Sequence, residues 1–150
     1  MGLTPDAAEP SGWERLLARI PVHPHLIVLR TAATVVLSCL IGQAGFAAAG
    51  LGRNPAWFGW HETGAVVTVC ACLVSLVLYL LLRRIGGSVL MGLAVATTVM
   101  VLVQVGFAEA GWKDVHIFWG VLTVMVGTAL TSWTYRHPPP PGWRPATQNP

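Results

Sequence analysis

The chain has 150 residues, enough for one domain. It is 54% hydrophobic and only 10% charged, with mean hydropathy +0.62; soluble domains carry about 25% charged residues, so a water-facing globule is excluded and a lipid-facing one is implied. A net charge of +3, from scattered basic residues, makes no nucleic-acid patch.

Residues 1–25 lack the apolar run of a signal peptide, so no cleavage is expected and the first apolar segment is its own insertion signal. Ser11 to Ile20 predicts a short helix lying on the inner membrane surface, with Trp13, Leu16, Leu17 and Ile20 facing lipid. Pro21 and Pro24 break it. Apolar stretches follow at 26–50, 60–82, 88–108 and 115–135. Each is long enough to cross a hydrocarbon core of roughly 30 Å as a helix, and lipid offers the backbone no other partners. The links are short: Arg83 to Gly87 joins the second span to the third, and Gly111 to Asp114 the third to the fourth. Short links make consecutive helices antiparallel neighbours, so the predicted fold is an all-α, up-down four-helix membrane bundle over 26–136. Residues 137–150 are a Pro-rich tail without an apolar face, expected to be extended or disordered, with a Pro-rich ligand for a partner as the alternative.

Orientation follows from Lys and Arg. Arg15, Arg19, Arg30, Arg83, Arg84, Arg136 and Arg144 fall on one side, Arg53 and Lys113 on the other. The first side is therefore cytoplasmic and carries both termini, in the plasma membrane. Trp57, Trp60, Trp112 and Trp119 mark the outer boundary; Trp13, Trp133 and Trp143 lie towards the inner one.

The chain also repeats itself. Gln43-Ala-Gly-Phe-Ala-Ala-Ala-Gly50 ends the first span and Gln104-Val-Gly-Phe-Ala-Glu-Ala-Gly111 the third, identical at six of eight positions. A His then opens each following span, His61 and His116, with Thr-Val seven and eight residues later. This reads as two copies of one helix hairpin related by an axis along the membrane normal.

Both histidines begin helices that run from outside to inside, so both lie near the outer face. From each runs a stripe of small or polar residues: Gly64, Thr68, Cys72, Ser75 and Tyr79, and Gly120, Thr123, Gly127, Thr131 and Thr134. Steps of three and four keep each stripe on the face of its His, and that face turns into the bundle. Two imidazoles from non-adjacent helices then point into one core, an arrangement suited to axial ligation of a haem iron. Gly64 and Gly120 would leave space for the ring. Gln43 and Gln104 would hydrogen-bond the histidines or the macrocycle edge. Arg53 and Lys113 would pair with the propionates. Interfacial caps on two helices, and plain interhelical bonding by the glutamines, are the structural alternatives.

Other chemistries are weaker. Zinc would need a third ligand from Glu62, Glu109 or Asp114, but no His/Glu cluster shares one face. A proton relay through His61, His116 and Glu62 has no more support. His23, His25 and His137 gather on the cytoplasmic side, as solvated loop residues or a second site. Arg30 is expected to snorkel to the inner interface. Cys39, Cys70 and Cys72 form no Cys-x-x-Cys and read as small packing residues. No nucleophile–base set or phosphate-cradling loop occurs.

The layout resembles one half of the haem A synthase family, whose members look like tandems of two four-helix bundles with a His at the outer end of the second and fourth helices. Those positions map onto His61 and His116. The resemblance covers about residues 26–136. It implies haem binding rather than the family's oxidising activity, because the family's outer-loop Glu and loop Cys pair have no match. The expectation is a membrane protein holding one b-type haem, for electron transfer or haem handling, with a homodimer recreating the eight-helix arrangement. The rivals are a cofactor-free accessory subunit of a larger membrane complex and a small transporter. Against the transporter stand the parallel repeats and the absence of a buried acid or broken helix.

Overall fold

The structure, a computed structural model, describes residues 12, 22–52 and 54–143. The expected surface helix over 11–20 (Gly12 apart), Arg53 and the end of the tail lie outside the described residues. Four long helices follow one another: α1 Pro24–Gly52, α2 Trp57–Leu81, α3 Arg83–Glu109 and α4 Lys113–Arg136. Even the shortest, 24 residues, is about 36 Å long at the α-helical rise. Each is long and apolar enough to cross a membrane.

Local chemistry sets the ends. Pro24 opens α1, where a missing N–H costs nothing, and the His23 carbonyl accepts from Leu26 and Ile27 N–H at 2.9 and 3.2 Å. Between α1 and α2, the Asn54 side chain accepts from Ala56 N–H at 2.9 Å. The end of α3 is a Schellman turn: Trp112 N–H donates to Phe107 O and Gly111 N–H to Ala108 O, both at 3.0 Å, with Gly111 at φ 73°. The expected loop from Arg83 to Gly87 is mostly helical. Only Leu82 separates α2 from α3, Gly86 N–H donates to Leu82 O at 3.0 Å, and the chain then pivots at Gly87, φ 73° and ψ 178°. A Cβ there meets nothing within 4 Å, so a substitution acts through backbone strain alone. Gly87→Ala is expected to destabilise the protein by about 1–3 kcal/mol, read from its unfolding in detergent.

α1 packs against α2 and α4, α3 packs against the same two, and α1 barely touches α3. The core is layered along the axis. One layer joins Leu29 and Ala33 of α1, Tyr79 of α2, Leu90 and Ala94 of α3 and Leu130 of α4. The next joins Val36, Leu40, Cys72 and Val101. Small and hydroxyl residues let the helices approach closely. The Tyr79 hydroxyl lies 2.6 Å from Thr134 Oγ1 and donates to Leu29 O at 3.3 Å, linking three helices. The outside is apolar instead: Ile41, Val66, Val74, Val99, Val121 and Met125 are all exposed. Such a surface is compatible with a bilayer and costly in water.

Two sets of contacts form at the end of the bundle where α1 begins and α4 stops. Arg30 is half-buried there. Its Nη2 donates to Tyr135 O at 3.0 Å and its guanidinium lies 5.4 Å from the Tyr135 ring centroid, because the last carbonyls of α4 lack helical donors. The tail leaves α4 in an extended conformation at His137 and then turns. Pro140 to Trp143 forms a turn with Gly142 at φ 82° and Trp143 N–H donating to Pro140 O at 3.2 Å. Pro at the second and Gly at the third position suit a type II turn. The turn brings the Trp143 ring edge-on to His23, centroids 5.7 Å apart.

Candidate functional site

Beyond the Cys72 layer, at the opposite end from Arg30, lies a layer of four polar residues, one from each helix: Gln43, His61, Gln104 and His116. His61 Nδ1 is 3.1 Å from the main-chain oxygen of Gln43, and His116 Nδ1 is 2.9 Å from that of Gln104. The two halves of the repeat therefore make the same contact. A carbonyl oxygen only accepts, so each Nδ1 carries the proton and donates. Each Nε2 is left with its lone pair, the tautomer that ligates a metal while the other nitrogen is held by a second partner.

The ring centroids of His61 and His116 are 6.1 Å apart, with planes at 82°. The described residues hold no group of three or more His, Cys, Asp or Glu able to bind a metal ion. A bare ion would thus find two ligands, too few for zinc. A tetrapyrrole iron brings four nitrogens of its own and needs only the axial pair.

The glutamine side chains occupy the space above the glycines. A Cβ on Gly64 would fall on the Gln43 amide nitrogen, and one on Gly120 would lie 2.8 Å from that of Gln104. Gly64 and Gly120 thus make room for the amides. Gln104 Nε2 lies 3.3 Å from His116 Nε2 and donates to its lone pair. Both glutamine Oε1 atoms are buried and have no partner among the described residues. Two buried acceptors are therefore left without a donor in this layer, a costly arrangement.

Lys113 is exposed at the start of α4, while Arg53 lies outside the described residues. The stripe below His61 is the buried face of α2: Thr68, Cys72, Ser75 and Tyr79. On α4 the buried residues are Thr123, Gly127, Leu130 and Thr134. Sequence reasoning missed an aromatic brace. Phe46 stacks on Trp57 at 6.0 Å and Phe107 on Trp112 at 5.8 Å. Its signal was in the repeat, since each Phe is three residues after its Gln and each Trp four before its His. Compared with known proteins, the chain matches no family model, no curated protein and no solved structure.

Proposed function

We propose that this is a multi-pass plasma-membrane protein that holds one b-type haem between His61 and His116, for electron transfer or haem handling. The observation that supports the reading is the repeated Gln–His contact, which puts the proton on both Nδ1 atoms and makes both Nε2 atoms acceptors, on rings 6.1 Å apart; His116 Nε2 would exchange the Gln104 amide for the iron. His61 and His116 would hold the haem iron. Gln43 and Gln104 orient them through main-chain oxygens, and their buried amides can turn towards the macrocycle edge. Lys113 and Arg53 would meet the propionates. The haem would supply a one-electron couple, whose potential depends on burial and hydrogen bonding as well as on the ligands.

The up-down arrangement, made of two like hairpins, belongs to the same proposal. It is supported by Gln43 late in α1 meeting His61 early in α2, and by Tyr79 late in α2 meeting Leu29 early in α1. The excess of Arg at the opposite end supports cytoplasmic termini. On this reading the chain corresponds to one half of a haem A synthase, and a second copy would complete eight helices.

A second reading has its own observation. Gln104 already donates to His116 Nε2, which satisfies that imidazole as a helix clamp. The chain would then be a cofactor-free accessory subunit of a larger membrane complex. Haem extracted from the protein, purified from cells supplied with haem precursor, separates the two. The haem reading expects one haem per chain; the clamp reading expects none.

A further inference from the structure

The end of the bundle opposite the histidine pair carries a second polar site. A cavity of about 220 Å³ is lined by Val22, His23, Leu26, Arg30, Pro139 and Trp143. Two polar atoms of its lining, His23 Nδ1 and Arg30 Nε, are buried with no hydrogen-bond partner among the described residues. A guanidinium nitrogen is always a donor, and leaving a charged donor buried and unmet costs more than leaving a neutral one. The cavity thus has a defined want: an acceptor, and a negative one.

Charge and backbone point the same way. The carboxylates among the described residues, Glu62, Glu109 and Asp114, all lie near the starts of α2 and α4 or the end of α3, at the histidine end. The Arg30 end has instead exposed Arg83, Arg84 and Arg136. The cavity also sits at the first turn of α1, a 29-residue helix, whose dipole favours an anion at that end. The lining is otherwise apolar and aromatic. His25 stacks near His23, centroids 4.9 Å apart, and the Trp143 indole closes the other side. Burial, then the neighbouring His25, lower the pKa of His23, and a neutral imidazole still has one N–H to donate.

We propose that this cavity binds a phosphate group, held by Arg30 Nε and His23 Nδ1 at the start of α1. An arginine fork matches phosphate oxygens in shape and charge. Trp143 and the apolar lining match the glycerol that follows a lipid phosphate at headgroup depth. The same chemistry would accept free phosphate. The site is independent of the haem proposal; only the lipid source rests on the membrane reading.

The test uses the full chain, delipidated in a neutral detergent and titrated calorimetrically with three probes: short-chain phosphatidylglycerol, the matching diacylglycerol without phosphate, and inorganic phosphate. Saturable binding of phosphatidylglycerol but not diacylglycerol supports a lipid headgroup site. Saturable binding of inorganic phosphate supports a free-anion site. Arg30→Gln and His23→Ala should each weaken binding about tenfold or more. His23→Ala removes no interhelical hydrogen bond among the described residues, so it keeps the test valid if Arg30→Gln folds poorly. Arg84→Gln, a surface charge at the same end, should change affinity less than about twofold. The proposal is overturned if neither phosphate compound binds, if diacylglycerol binds as well as phosphatidylglycerol, if His23→Ala binds like the parent, or if Arg84→Gln loses as much as Arg30→Gln.

Discussion

Replacing His61 or His116 with alanine is expected to strip the protein of haem while leaving the bundle folded. Changes to the groups that merely orient a metal-bound His cost about 10–100-fold in affinity, so loss of the ligand itself should exceed that. The two replacements should act alike, because each His is held by the same main-chain contact in its own hairpin. Haem content and the helical circular dichroism of each variant measure the two halves of this expectation. Haem unchanged in both variants would remove the site. Loss of helix on replacing either His, in a parent that carries no haem, would favour the clamp reading, in which the histidines hold helices together.

The second large effect concerns packing alone. Gly127 of α4 is buried, and a Cβ placed on it lies 2.6 Å from Leu40 Cδ1 of α1. Leu40 is itself packed with Val36, Cys72 and Val101. Alanine asks only the end of one side chain to move. Valine adds two methyls to a contact with little room, so Gly127→Val should cost about 1–3 kcal/mol or more. Gly92 of α3 is exposed, and its Cβ would meet nothing within 4 Å. Gly92→Val is the matched control and should leave the unfolding midpoint near that of the parent. Equal effects at 92 and 127 would mean that α1 and α4 do not approach closely at Gly127.

The four helices were legible because each apolar stretch exceeds what a soluble core needs and reaches what a bilayer needs. The buried face of α2 was legible too, since Thr68, Cys72, Ser75 and Tyr79 recur at helical spacing among large apolar residues. That Gln43, His61, Gln104 and His116 share one end of the bundle was legible, but their contacts were not. A glutamine three residues before a phenylalanine suggests a side-chain partner. That its main-chain oxygen takes the imidazole depends on how deeply α2 sits against α1, which sequence spacing does not encode. The fate of Arg30 likewise depended on the end of α4, distant in sequence, arriving beside it. The turn at Pro140 to Trp143 had a local signal, Pro141-Gly142, masked by the run of prolines around it. The helical turn after Leu82 was hidden by two glycines that read as a loop, only one of which acts as the pivot.

The central claim is that His61 and His116 hold one iron between them, and its most direct test is an absorption spectrum of the detergent-purified protein, oxidised and then reduced with dithionite. The account predicts the sharp pair of reduced bands of a six-coordinate, low-spin b-type haem. A spectrum without haem bands, even after haem is added, would contradict it and leave the cofactor-free subunit as the better reading.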